Sequence, residues 1–175
     1  MMSPSPADFW RGNSSLRDIT PSGERFPEAG LFQALSLACR GSVFEFGCGD
    51  GRLAPAFAAD KYVGFDINPA ALAAARVANP AHSFADDWAE ADTFLAHTVL
   101  LHVPDDEIET LLAWAACYPR VVIGEVMGRQ WRRPGNPPVF NREPEEYEAM
   151  IGRPAERIAV PYSRYRCDLT MLVFA

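Results

Sequence analysis

The segment Val43-Phe-Glu-Phe-Gly-Cys-Gly-Asp-Gly-Arg52 constrains this chain more than any other. Its apolar half reads as a buried strand that stops abruptly at Gly47. Gly49 and Gly51 follow at alternate positions. Glycines there permit positive φ and let backbone approach a ligand closely. A short helix over 52–60 is expected next, and its N-terminus would add free N–H groups and the positive end of a helix dipole. A strand, a glycine turn and a helix in that order open the nucleotide-type sites of α/β domains.

The rest of the chain fits that opening. Apolar periodicity places a helix over 27–40, with Leu31, Leu35 and Ala38 on one face and Gly41 ending it. A second strand covers 61–65 and ends at Asp66. Asn68 suits the cap, and Pro69 the first turn, of a helix running to 78. Further strands are expected over 82–84, 93–100 and 120–126, the last being the clearest. Residues 104–117 form an amphipathic helix with acids in its first turn. A helix over 144–151 precedes the last two strands, 158–160 and 169–174. Strand and helix thus alternate about five times before two adjacent strands. The expected fold is α/β: a doubly wound, mostly parallel seven-stranded sheet with an antiparallel last strand.

A chain of 175 residues supports one domain, here an arm over 1–27 and a core over 28–175. With 49% hydrophobic residues it is not a disordered chain, and no apolar run approaches the roughly 18–20 residues of a membrane span. The net charge of -7 removes any general attraction to nucleic acid or anionic membrane. Cys39, Cys48, Cys117 and Cys167 are far apart and form no C-x-x-C pair, so no metal site is expected. They read as free thiols filling the core in a reducing compartment. No basic stretch followed by an apolar one marks a secretory leader, so the cytoplasm is the expected location.

The glycine spacing departs from the dinucleotide pattern, because Arg52 stands where a third glycine is wanted. A carboxylate at Glu45 would repel a pyrophosphate but suits a cationic ligand group. Asp66, at the end of the second strand, is placed to take both hydroxyls of a ribose. Together they ask for a ribose-bearing ligand without a diphosphate, which argues against a nicotinamide reductase.

On these residues, Glu45-Phe-Gly-Cys-Gly-Asp-Gly51 and Gly64-Phe-Asp66-Ile67-Asn-Pro, the chain resembles the class I (Rossmann-like) S-adenosylmethionine-dependent methyltransferases. The resemblance runs over about 40–126 and more loosely onward. It implies that Glu45, Gly47, Gly49 and Gly51 hold the methionine part of S-adenosylmethionine, and that Asp66 and Ile67 lie at the ribose. Phe84-Ala-Asp86-Asp87-Trp88 matches the family's adenine segment, with Asp86 or Asp87 as the acid and Trp88 beside the ring. His97-Thr98-Val-Leu-Leu-His102-Val-Pro-Asp matches the end of the family's fourth strand, which implies that His97 and Thr98 border the methionine or methyl region. His97 and His102 are the candidate bases, because histidine titrates near neutral pH.

Beyond strand five, Arg129, Trp131, Arg132 and Arg133, with Phe140-Asn141-Arg142, fall on the face where such sheets bind ligands. Tyr162, Arg164, Tyr165 and Arg166 fall there too. Arginine forks suit carboxylate or phosphate and the rings suit flat or sugar-like groups, so these are the candidate substrate residues. The expected partner is a small-molecule methyl acceptor. Pairing of these arginines with Glu143, Glu145 and Glu146 is the competing reading. Trp10 and Arg11 are placed to fold over the cofactor as a lid. Otherwise a second subunit, as in a homodimer, or a large substrate closes the site. The alternative function is a cofactor-binding regulatory or partner subunit without turnover.

Overall fold

The computed structural model describes residues 5–12, 28–134, 139–162 and 167–175. The elements in order are α1 (Pro6–Gly12), α2 (Glu28–Ala38), β1 (Val43–Phe46), β2 (Tyr62–Phe65), α3 (Pro69–Ala78), β3 (Ser83–Ala85) and β4 (Thr93–His97). Then come α4 (Asp105–Ala115), β5 (Arg120–Glu125), α5 (Pro144–Ile151), β6 (Glu156–Tyr162) and β7 (Cys167–Phe174).

The strands form one sheet in the order β3-β2-β1-β4-β5-β7-β6. All neighbouring pairs from β3 to β5 are parallel, and β7 runs antiparallel to both β5 and β6. This is the doubly wound seven-stranded sheet with the antiparallel last strand. The order reverses at β1, whose neighbours are β2 and β4. Ligands of open α/β sheets bind beyond the carboxyl ends of the strands at such a reversal.

Alternate residues of the strands feed two cores. Val43, Leu95, Val122 and Met171 pack with Leu31 and Leu35 of α2. Phe44, Phe94, Ile123 and Leu172 pack with Ile108 and Leu112 of α4 and Tyr147 of α5. Burying such a side chain contributes roughly 1.5–3 kcal/mol. Asn68 caps α3 as expected, its Oδ1 accepting from the amides of Ala70 and Ala71.

Three expectations are corrected. First, no α-helix follows the glycine turn. Residues 54–56 and 59–61 form two single 3₁₀ turns instead. The bonds there run back three residues rather than four, from Ala54 N to Gly51, Ala56 N to Leu53 and Phe57 N to Ala54, and Phe57 then leaves in extended conformation. Second, the arm, whose Pro, Ser and Gly content reads as a loop, contains the helix α1, held by Ser5 and Asp8 at its start. Third, Cys117 is exposed rather than a core filler, whereas Cys39 and Cys48 are buried free thiols. Cys117 lies past the last turn of α4, on its solvent side. No described helix is long and apolar enough to cross a membrane.

Candidate functional site

The glycine turn lies at the carboxyl end of β1, with Gly47, Gly49 and Gly51 at φ of 74°, 56° and 76°. At Gly47 the need is also steric, because an added Cβ would fall 2.3 Å from a Val99 methyl. The amides of Gly47 and Cys48 both donate to the Phe65 carbonyl, at 2.8 and 2.9 Å. The turn is thereby pinned to the end of β2.

Asp66 completes that link. Its Oδ2 accepts from Gly49 N at 2.8 Å and its Oδ1 from Asn68 N at 2.8 Å. Each oxygen keeps a further lone pair, so the carboxylate can still accept from a vicinal diol. Desolvation raises its pKa, and the two amides oppose that rise. Ile67 is half-buried beside it.

Glu45 stands differently from its expected role. Its carboxylate is 2% exposed and accepts a short hydrogen bond from the Tyr62 hydroxyl. Gly64, its register partner on β2, makes the room: a Cβ there would lie 2.9 Å from both Tyr62 Oη and Cys48 Sγ. Burial lifts Glu45 to about 7, against the lowering effect of Tyr62 and of the Arg52 charge. The geometry makes Glu45 a support beneath the turn rather than an open ligand.

After β3, Asp86 is exposed and paired with Arg76 at 2.9 Å, the same guanidinium nitrogen also donating to the Phe84 carbonyl. Asp87 accepts from Trp88 N at 2.8 Å. The Trp88 ring is partly exposed and lies against the sheet. It packs on Phe44, Phe46 and Phe94, with centroids 5.6, 5.5 and 5.8 Å away. The reason is topological. Residues 86–92 carry the chain from β3 past β2 and β1 to β4, where parallel crossovers usually take about a dozen residues or more. The crossing has no helix, and Trp88 covers the sheet in its place.

His97 ends β4 and is buried. Gly124 opposite it has no side chain, and a Cβ there would lie 2.8 Å from the imidazole. Burial first, and the Arg52 charge second, push His97 down to about 3. This corrects its reading as a base, because the pocket opposes taking up a proton. Its Nε2 is buried without a partner among the described residues. Thr98 follows in the left-handed region, at φ 53°.

His102 is half-buried and lies against Trp10 of α1, ring centroids 4.4 Å apart. The Trp10 carbonyl accepts from Asn68 Nδ2 at 3.0 Å. Trp10 therefore bridges the turns after β2 and β4, the two strands that flank β1.

The arginine-bearing segment is largely self-neutralised. Arg129 makes a two-pronged pair with Glu146, at 2.9 and 2.5 Å. Arg132 does the same with Asp105, at 2.7 and 3.0 Å. Arg142 is 2% exposed and donates to the carbonyls of Leu100 and Val103. The forks of Arg129 and Arg132 are filled by this chain's own carboxylates, which corrects their assignment to an anionic substrate. Arg133 is exposed and Trp131 is half-buried against the α2-side core. Arg164 and Tyr165, and the Tyr162 side chain, lie outside the described residues.

Sequence reasoning missed Tyr62 and Glu125. Glu125 ends β5, is 1% exposed and accepts from the amides of Val99, Leu100 and Leu101. The available signal was an acid closing the most apolar strand of the chain.

The fold is that of a Rossmann-like domain, with the glycine turn and Asp66 joined where the strand order reverses. Residues 44–116 match the family model described as a methyltransferase domain. Among solved structures, the chain resembles a magnesium protoporphyrin IX methyltransferase from Synechocystis with bound SAM. That match has a TM-score of 0.70 and 15% identity, covering 99% of this chain and 98% of the other. A 1,6-didemethyltoxoflavin-N1-methyltransferase from Burkholderia thailandensis gives 0.68 at 17% identity, covering 99% and 90%. The N-methyltransferase NodS from Bradyrhizobium japonicum gives 0.67 at 16% identity, covering 98% of each chain. A search of curated proteins found no match. The middle of the chain thus carries the methyltransferase-domain match, and the fold is one shared with S-adenosylmethionine-dependent methyltransferases.

Proposed function

We propose that this protein transfers a methyl group from S-adenosylmethionine to a small molecule. The observation that carries the reading is Asp66. It is locked onto the glycine turn and the α3 cap, yet keeps acceptor capacity on both oxygens where a ribose belongs. The family's cofactor fits this donor set. The positive-φ glycines leave the turn open to close approach, and no diphosphate-binding helix start lies beneath it.

Asp66 and Ile67 hold the ribose, and Gly47, Gly49 and Gly51 pass close to the methionine part. Glu45 with Tyr62 keeps that turn in place. Arg76 engages Asp86, so Asp87 is the carboxylate left for the adenine amino group, and Trp88 backs the pocket through Phe46 rather than stacking on the base. When bound, the cofactor supplies an already activated methyl, so the protein's task is alignment and exclusion of water. His97 stays neutral and serves as a hydrogen-bonding wall. His102 is the remaining candidate to take a proton from the acceptor. The α1 helix, through Trp10, closes the cleft.

The structural neighbours act on a porphyrin and on a toxoflavin precursor, by their descriptions. Here Trp10, His102 and Trp131 favour a flat or sugar-like acceptor, with Arg133 the described arginine proposed for a carboxylate or phosphate. The protein works in the cytoplasm on this reading. Calorimetry with S-adenosylmethionine and S-adenosylhomocysteine tests the assignment. Micromolar binding that is lost in Asp66→Ala is expected, and silence of the wild type overturns it. A regulatory subunit would bind the cofactor but turn over no acceptor.

A further inference from the structure

The loop after β4, residues 98–103, owes its shape to residues far along the chain. Glu125 Oε1 accepts from Val99 N at 3.0 Å, Leu100 N at 2.8 Å and Leu101 N at 3.4 Å. Arg142 donates to the Leu100 carbonyl at 3.1 Å and the Val103 carbonyl at 2.8 Å. Phe140 N donates to the Leu101 carbonyl at 2.7 Å, and Thr98 N to the Gly124 carbonyl at 2.8 Å. Amides and carbonyls of this loop are thus held from beneath by β5 and the segment leading into α5. Both side chains involved are almost fully buried. Arg142 is itself held by Asp105, whose Oδ1 accepts from it at 2.6 Å. Buried polar groups are costly unless their hydrogen bonds are met, so the arrangement serves a geometry rather than raw stability.

That geometry reaches the glycine turn. The Val99 side chain, whose own amide Glu125 holds, stands where a Gly47 Cβ would be. The loop also carries Thr98 at positive φ, and His102, on which Trp10 rests. Moving Val99 by an ångström would open or crowd the turn.

We propose that Glu125, backed by Arg142, is a positioning residue for the cofactor cleft: it fixes the 98–103 loop, and through Val99 it sets the width between that loop and the glycine turn. This rests on the methyltransferase reading for what occupies the cleft. Glu125 itself touches no reacting atom.

The test compares Glu125→Gln, which keeps an accepting oxygen, with Glu125→Asp, which withdraws it by one methylene, and Glu125→Ala, which removes it. S-adenosylhomocysteine affinity is read by calorimetry, and amide hydrogen exchange is read residue by residue. The expected result is that Glu125→Gln binds within about twofold of wild type. Glu125→Asp and Glu125→Ala should bind at least about tenfold more weakly, with exchange at Val99–Leu101 about a hundredfold faster and β1 unchanged. If Glu125→Ala does not fold, Glu125→Asp carries the comparison. Affinity within twofold in Glu125→Asp and Glu125→Ala overturns the proposal. So does Glu125→Gln behaving like Glu125→Ala, or wild-type amides 99–101 exchanging as freely as exposed ones. A wild type that binds no S-adenosylhomocysteine overturns the cofactor reading as well. That failure is distinct, because the unmutated protein is then the silent one.

Discussion

The Asp66 carboxylate accepts the Gly49 amide at 2.8 Å, so the end of β2 and the turn after β1 are one rigid unit. A hydrogen bond to a charged acceptor contributes about 1.5–3 kcal/mol. Asp66→Asn keeps an acceptor but loses the charge and one of the ribose-facing lone-pair sets. It should retain the fold with a modest drop in midpoint temperature and lose about ten- to a hundredfold in S-adenosylhomocysteine affinity, roughly 1.4–2.8 kcal/mol. Calorimetry alongside thermal unfolding separates the two effects. Unchanged affinity with a large loss of stability would make Asp66 purely structural.

Gly47 and Gly152 offer a matched pair. Both sit at positive φ, 74° and 78°, where a Cβ costs about 1–2 kcal/mol. Nothing lies within 4 Å of a Cβ at Gly152, whereas one at Gly47 meets Val99 at 2.3 Å. Gly152→Ala should therefore lose only the backbone cost and keep cofactor affinity. Gly47→Ala should lose more stability and most of its affinity. Equal effects of the two substitutions would show that close approach at the turn is unimportant.

How much of this was legible in the sequence depends on the separation of the partners. The glycine turn, Asp66 and the Asn68 cap are local patterns, and each appears where the residues put it. The seven strands followed from apolar runs bounded by glycine, proline and acids. The Arg132–Asp105 and Arg142–Leu100 bonds join residues brought together only by the sheet order, so the sequence pointed only to the nearby Glu143, Glu145 and Glu146 as partners. Glu125 was invisible for the same reason. It meets Val99 because β4 and β5 are parallel neighbours with His97 opposite Gly124. The helix expected after Arg52 is replaced by two 3₁₀ turns.

Protonation of the buried groups gives a testable pH profile. Burial holds Glu45 at about 7 and Glu125 at about 8, above their ordinary 4.5. Each therefore stabilises the fold fully below about pH 4.5, and that contribution is lost as pH rises through the folded value. His97 is lowered to about 3 from 6.5, so its contribution is present above 6.5 and lost as pH falls toward 3. Between about pH 4.5 and 6.5 the terms oppose. Above 6.5 only the two carboxyls act, and stability should fall from there to about pH 8.5. Denaturant midpoints in Glu125→Gln should show a visibly shallower fall. A rise in stability over that range, or an identical slope in the variant, would contradict the assignment of buried protons.

Trp10 carries the last prediction. No residue of α1 is buried, and the helix touches the body through the Trp10–His102 ring contact and the bond from Asn68 to the Trp10 carbonyl. Trp10→Ala removes the ring but not the carbonyl, so α1 keeps one tether. Global stability should change little, because the helix adds almost nothing to either core. The lid reading instead predicts that S-adenosylhomocysteine leaves about three- to tenfold faster, with capture nearly unchanged, since affinity differences among variants of one site lie mostly in the off-rate. Stopped-flow displacement measures both rates. The same substitution takes the indole away from the His102 ring, so the His102 ring-proton resonances, followed by proton NMR, should move when Trp10 is removed. Unaltered release together with an unmoved His102 signal would mean that α1 does not close the cleft in solution.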